Sequence, residues 1–410
     1  MKNILFVDDE AMVLDGLHRM LRAMRHEWQM TFASSGPEAL EILEKGSFDV
    51  IVTDMRMPGM DGGQLLNEVK ERHPNVVRII LSGHSAKEKI LHSIGPVHQY
   101  LSKPCDAEAL KSTVSRACAM RHLLNSDSLI SLVSAIESLP SLPSLYAEIM
   151  EEMNSQESSI SRVGEIISKD VAMSAKVLQL VNSSFFGHPV HVSNPSRAAA
   201  LIGLETLKAL VLGVKIFSEF SGSDFPGYCT IANLWEHSVA TGFLAKDTAE
   251  SLGREQAEID DCFLAGLMHD LGKLILLEKL PSACEEIVED AAATGSSLIK
   301  AEQEALGTTH AQVGAYLLGI WGFSESIVDA IAFHHQPGEY ANGNLTTLTI
   351  VHLANGLEHR NNPANLNDAW NFDLEYLSKV GMIDRIAGLQ LGSYCRATGG
   401  ETNACKNSLR

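Results

Sequence analysis

The stretch Ser47-Phe-Asp-Val-Ile-Val-Thr-Asp54-Met-Arg-Met-Pro58-Gly-Met-Asp-Gly62 decides the fold of the first part of the chain. An unbroken apolar run, Val50 to Val52, leads into a carboxylate at Asp54, and Pro58-Gly59 then turns the chain away. Such a run specifies a parallel strand buried on both faces, and α/β sheets place their chemistry at the carboxyl ends of these strands. Asp54 is expected at that rim.

Working outward, Ile4–Val7, Met30–Ala33, Val77–Leu81 and His98–Leu101 also read as strands. Helical patterns lie between and after them at about 11–25, 37–45, 62–72, 86–93 and 106–122. Regular alternation predicts an α/β doubly wound, five-stranded parallel sheet with helices on both faces. Asp8 and Asp9 follow the first strand, Asp54 the third, Ser82 the fourth and Lys103 the fifth. Three carboxylates brought together repel one another and call for a hard divalent cation, for which oxygen ligands and room for phosphate suggest Mg²⁺. Asp54 is then a nucleophile towards a phosphoryl donor, and Lys103 and the Ser82 hydroxyl suit the transferred oxygens.

In this order and placement the residues resemble the receiver domain of two-component response regulators, over all of residues 1–122. The resemblance implies that Asp54 is the phosphoacceptor. It implies Mg²⁺ ligands at Asp8, Asp9, Asp54 and the backbone carbonyl of Arg56, and switch residues at Ser82, Tyr100 and Lys103. A sensor histidine kinase is the implied phosphodonor, and a homodimer is compatible with the family.

The remaining 288 residues differ in character. Residues 1–122 hold 15 Lys+Arg against 16 Asp+Glu, whereas the rest hold 17 against 35. So acidic a surface repels phosphate backbones and anionic membranes, and no basic helix suits a major groove, so DNA and membrane partners are not expected. Seven cysteines without C-x-x-C spacing read as reduced thiols in a cytoplasmic protein. No apolar run of about 18 residues is present.

Residues 123–143 read as a helical linker, punctuated by Leu139-Pro-Ser-Leu-Pro143. Residues 144–396 read as an all-α body with a sub-boundary near 220–230, and 397–410 as a polar tail. Its helices are expected at about 144–154, 159–168, 171–183, 195–202, 205–219, 231–252, 256–277, 297–306, 309–321, 325–333, 345–360 and 373–393. The second half carries Trp235-Glu-His237, His269-Asp270-Leu-Gly-Lys273, Thr309-His310 and Phe333-His334-His335. Imidazoles with a carboxylate suit a transition metal such as Fe, Mn or Zn, whose bound water becomes a nucleophile for phosphoesters, with Lys273 near the developing charge.

The His-Asp doublet, the Gly-Lys that follows it and the later His-His doublet resemble the HD superfamily. With Leu139–Pro143, Asn182-Ser183 and Ala200-Leu-Ile-Gly-Leu204, the region 130–395 resembles its HDOD branch, mostly signalling or interaction modules. Against the related metal-binding HD-GYP phosphodiesterases, His237, His269, Asp270, His310, His334 and His335 match ligand positions, and Lys273 matches a catalytic lysine. A later aspartate ligand is replaced by Asn355, and no Gly-Tyr-Pro follows the His doublet. One metal site, from Asp270, His310, His334 and His335, survives this comparison; the other, from His237, His269 and position 355, loses a charged ligand. The reading is a cytoplasmic bacterial response regulator whose HDOD output binds a downstream signalling protein without catalysis. The alternative is a phosphorylation-gated metal phosphohydrolase acting on a cyclic dinucleotide or nucleotide.

Overall fold

The structure, a computed structural model, describes residues 1–82, 97–103, 105–120, 133, 152, 159–182, 192–202, 231–340, 344–361 and 372–383. The helices expected at 86–93 and 205–219, all of that at 144–154 but Glu152, and nearly all of the 123–143 linker lie outside these residues.

Strands β1 (Lys2–Val7), β2 (Trp28–Ala33), β3 (Val50–Asp54), β4 (Val77–Ser82) and β5 (Gln99–Ser102) form one parallel sheet in the order β2-β1-β3-β4-β5. Helices α1 (Ala11–Met20), α2 (Gly36–Lys45), α3 (Gly62–Arg72) and α4 (Ala107–Met120) accompany it. The helix expected over 11–25 ends at Met20, and a 3-10 turn, Arg22–His26, carries the chain into β2. Register aligns the carboxyl edge, since Val7 pairs with Thr53, Asp54 with Leu81 and Ser82 with Ser102. All five residues of β3 are buried, as its apolar run requires. Leu5, Ile51 and Ile80 pack with Leu43, Leu65, Leu66 and Val69 of α2 and α3.

The start of α3 is fixed locally. The Gln64 N–H donates to Asp61 Oδ1 (2.9 Å) and the Asp61 N–H donates to Gln64 Oε1 (3.1 Å), a reciprocal capping box. Gly62, its first residue, runs so close to β3 that an added Cβ would lie 2.1 Å from the Asp54 carbonyl oxygen.

The chain divides into two compact units, Met1–Ser221 with Tyr316–Ser324, and Gly222–Ala315 with Glu325–Arg410. Besides the sheet, the first contains α5 (Ile160–Ser168), α6 (Val171–Val181) and α7 (Pro195–Ile202), which pack on one another. Three side chains tie these parts together within that unit. Gln99 Nε2 donates to the Ile320 carbonyl (2.8 Å), Arg116 Nη1 to the Phe323 carbonyl (3.2 Å) and Gln179 Nε2 to the His98 carbonyl (2.9 Å).

The second unit is helical: α8 (Ile231–Ser251), α9 (Gln256–Met268), α10 (Leu271–Lys279), α11 (Pro281–Thr294), α12 (Leu298–Leu306), α14 (Glu325–Phe333), α15 (Thr347–Asn361) and α16 (Leu374–Lys379). Helix α13 (His310–Ile320) has residues in both units. α9 is central, contacting α8, α14 and α15. Ala245, Ala249, Ile259, Cys262, Ile350 and Ala354 form an apolar seam among α8, α9 and α15.

Three further expectations need correction, the first being that the helix expected over 373–393 ends at Lys379, with Gly381 (φ 70°) just beyond. The helix expected over 256–277 is two helices, because Asp270 leaves helical geometry (φ −98°, ψ 11°) and its carboxylate turns inward. Helix α11 was not expected at all, although Pro281 at its start and Gly295 (φ 66°) after its end mark both boundaries. At the first turn of α10, a Cβ on Gly272 would lie 1.8 Å from the His310 carbonyl oxygen. Gly272→Ala and Gly62→Ala should each cost about 3 kcal/mol or more in urea denaturation, since backbone must move to admit one methyl. Wild-type midpoints would contradict this packing.

Candidate functional site

At the carboxyl edge of the sheet, Asp8 is 1% and Asp54 8% exposed, while Asp9 next to them is exposed. Lys103 Nζ bridges the two buried carboxylates, 2.7 Å from Asp8 Oδ2 and in contact with Asp54 Oδ1. Burial pulls the Lys103 pKa down, but its hydrogen bonds to Asp54 and Asp8 and their charges carry it above the ordinary value. The second Asp54 oxygen accepts the Arg56 N–H at 2.6 Å. One cation spanning both acids shows that they can share a charge between them, and their hard oxygens fit Mg²⁺. Ser82 ends β4 and Tyr100 lies in β5, but their side chains are outside the described residues.

The second site is built around Asp270, 1% exposed at the junction of α9 and α10. His310 Nε2 lies 3.2 Å and His334 Nε2 3.8 Å from its Oδ1; His269 Nε2 lies 3.4 Å and His237 Nε2 3.6 Å from its Oδ2. His335 Nε2 approaches His310 Nε2 at 3.2 Å. Thus all six histidine and aspartate positions singled out from the sequence meet in space. They fall into two groups sharing Asp270, namely Asp270-His310-His334-His335 and His237-His269-Asp270. Lys273 Nζ donates to Asp270 Oδ2 at 2.9 Å.

Ring orientation follows from the acceptors behind each ring. His269 Nδ1 faces the Gly266 carbonyl and His334 Nδ1 the Ile331 carbonyl, both at 2.7 Å. His310 Nδ1 faces Glu302 Oε2 at 2.8 Å, and His237 Nδ1 contacts Glu358 Oε2. Carbonyls and carboxylates only accept, so in these four rings Nδ1 carries hydrogen, and Nε2, whenever the ring is neutral, presents a lone pair inward. The Nε2 atoms of His237 and His269 are 3.1 Å apart, where two lone pairs repel unless a proton or metal ion lies between them. Two imidazoles on one tetrahedral ion, with bonds of about 2.0–2.1 Å, sit about 3.3 Å apart. The donor set fits a transition metal.

The electrostatics are consistent with that fit. Burial opposes ionisation of Asp270, but His269 and Lys273 beside it hold its pKa well below the ordinary carboxylate value. Burial pushes His334 and His335 well below the usual imidazole range, and neighbouring histidines push them further, leaving neutral ligands. Burial also opposes charge on His310, yet the Glu302 carboxylate overrides it and raises the pKa to about 9. Asn355 is buried on α15, and its Oδ1 has no hydrogen-bond partner. Sequence reasoning missed Glu302, Glu358 and His359, whose ring centroid lies 4.7 Å from that of His237.

Comparison with known proteins bears on both regions. The response regulator receiver domain family matches residues 4–115, and the HDOD domain family matches 139–337. An uncharacterized protein of Treponema pallidum is 29% identical over 185 residues, 44% of this chain and 35% of that protein. The hydrogenase transcriptional regulatory protein HoxA of Cupriavidus necator is 38% identical over 116 residues, 28% of this chain and 23% of its own. The chain thus spans about a third or less of the length of these relatives. The solved MmoQ response regulator of Methylococcus capsulatus is 22% identical, with a TM-score of 0.49 over 62% of this chain and 98% of that one. Among the described residues, no helix is long and apolar enough to cross a membrane. With a five-stranded receiver sheet followed by a helical region that matches HDOD, the chain belongs to the response regulators that join a receiver domain to an HDOD domain.

Proposed function

We propose that the protein is a cytoplasmic phosphorelay regulator in which a sensor histidine kinase phosphorylates Asp54 and the HDOD region acts by binding a downstream signalling protein. An Asp54 carboxylate oxygen attacks the phosphorus of the donor phosphohistidine; the P–N bond breaks, its electron pair stays on the donor nitrogen, and an acyl phosphate forms. Mg²⁺ held by Asp8, Asp9, Asp54 and the Arg56 carbonyl would screen the two anions as they approach. Lys103 lies against Asp54 and Asp8, so a phosphoryl group on Asp54 gives its ammonium new oxygens to bind. Ser82 is assigned the companion switch role, with Tyr100 as the aromatic that responds.

The observation carrying the output reading is the near-closure of the Asp270 cluster, of which only His335 is partly exposed. His237, His269, His310 and His334 are fully buried, and Asp270 and Lys273 are within 2% of it. Catalytic metal sites keep an open position for substrate, whereas closed sets of protein donors are structural. Asp270, His310, His334 and His335 would hold one ion, and His237, His269 and Asp270 with the Asn355 amide a second. Fe, Mn or Zn there would supply Lewis acidity and local rigidity. The joint between receiver and helices supplies a route for the signal. The α13 carbonyl that accepts from Gln99 belongs to the helix that begins with His310. β5 and α4, which carry Gln99 and Arg116, flank Lys103 in sequence.

A second reading, a metal phosphohydrolase for cyclic dinucleotides or nucleotides, is favoured by Lys273 lying 2.9 Å from Asp270 Oδ2 among the donors. There Lys273 would bind and neutralise a phosphoester oxygen, and the metal would acidify water.

Incubation with acetyl phosphate and Mg²⁺ should add one phosphoryl group to the wild type and none to Asp54→Asn, as read by intact mass. The same treatment should alter hydrogen exchange at residues 319–323 only in the wild type. Labelling of Asp54→Asn would contradict the phosphoacceptor assignment. Supplied with Mn²⁺, the protein should not hydrolyse bis(p-nitrophenyl) phosphate or a cyclic dinucleotide above the Asp270→Ala background. Turnover lost in Asp270→Ala would establish the second reading instead.

A further inference from the structure

Among the four rings whose Nδ1 acceptors are given above, two are backed by backbone carbonyls and two by buried carboxylates. Each metal-binding group contains one of each kind. His334 and His269 are held by the turn of chain that precedes them, with Ile331 and Gly266 each three residues upstream. His310 and His237 have no such local acceptor and are held from other helices, by Glu302 of α12 and Glu358 of α15. Both glutamates are almost fully buried, at 1% and 2% exposure.

Burying a carboxylate is costly unless its charge is answered, and the imidazole that each glutamate holds is one of the groups that answers it. A carboxylate behind an imidazole fixes the tautomer with Nε2 bare, turns the ring and makes Nε2 a stronger donor to a metal ion. Glu302 also accepts the His310 N–H at 2.8 Å, so one side chain fixes both the ring and the start of α13. Glu358 has a further significance. With Asn355, the His237-His269 group has no carboxylate of its own beyond the shared Asp270, and Glu358 follows Asn355 by three residues on the same helix, one turn along the same face. Its negative charge therefore enters this group through His237.

Resting on the metal-binding reading above, we infer that Glu358 and Glu302 are positioning residues for two metal ions. Glu358 serves the ion at His237 and His269, and there it supplies the anionic charge that Asn355 cannot. Glu302 serves the ion at His310, His334 and His335. The second half of the site is thereby retained rather than lost with the aspartate.

The test uses full-length protein stripped of metal and titrated with Zn²⁺ against a chromophoric chelator, which reads both the number of ions and their affinities. The wild type should bind two. Glu358→Gln keeps shape and a carbonyl acceptor for His237 but removes the charge; it should weaken one ion about 10–100-fold and leave the other unchanged. Glu302→Gln should weaken the complementary ion by a similar factor. Adding Asn355→Asp to Glu358→Gln should restore the weakened ion, which a merely structural role for Glu358 would not allow. Circular dichroism of the metal-free variants should match the wild type; if Glu358→Gln does not fold, Glu358→Asp, which keeps the charge but withdraws it from the ring, takes its place. Two ions bound with unchanged affinities in the Glu358 variant would overturn this inference alone. A single ion sensitive only to Glu302→Gln would overturn the assignment of Glu358. No Zn²⁺ bound by the wild type would overturn the metal-binding reading as well.

Discussion

The helical region depends on a buried carboxylate. Asp270 is 1% exposed, and an isolated charge in such a place would cost several kcal/mol. The fold answers it with Lys273 from the next turn and with imidazoles from α8, α13 and the ends of α9 and α14. Much of the local architecture serves that arrangement. The α9–α10 break turns His269 and Asp270 inward together, and Gly272 lets α10 lie against the first turn of α13.

The receiver solves a similar problem with a different outcome. Two acids at adjacent strand ends share one ammonium, and Asp9 beside them faces solvent. Oxygen donors at an open sheet edge suit a hard, exchangeable ion that admits phosphate, whereas imidazoles enclosed by helices suit a softer ion held in place. Within the first unit, Gln99 and Arg116 bond the 320 and 323 carbonyls.

The parts of this account legible in the sequence were those with a local signature. Val50–Val52 could only be a strand buried on both faces, and register then brought Asp8, Asp54 and Lys103 to one edge. The His-Asp and His-His doublets declared themselves by composition. Glu302 and Glu358 did not, because a glutamate in a helix ordinarily reads as a solvated position, and only the packing of α12 and α15 against the histidines makes these two buried partners. The helix break at His269-Asp270 was hidden by the apolar run on either side of it, from Phe263 to Met268 and from Leu274 to Leu277. Asn355 was legible as a departure at one position, whereas Glu358, three residues further along the same helix and against His237, was not.

That histidine Nε2 atoms converge on a metal ion beside Asp270 is tested most directly by X-ray absorption at the metal edge of the purified protein. The account predicts a first shell of nitrogen and oxygen at about 2.0–2.2 Å, with the outer-shell scattering of several imidazoles and no sulfur. An edge without metal, or a first shell of water oxygens lacking imidazole scattering, would contradict it.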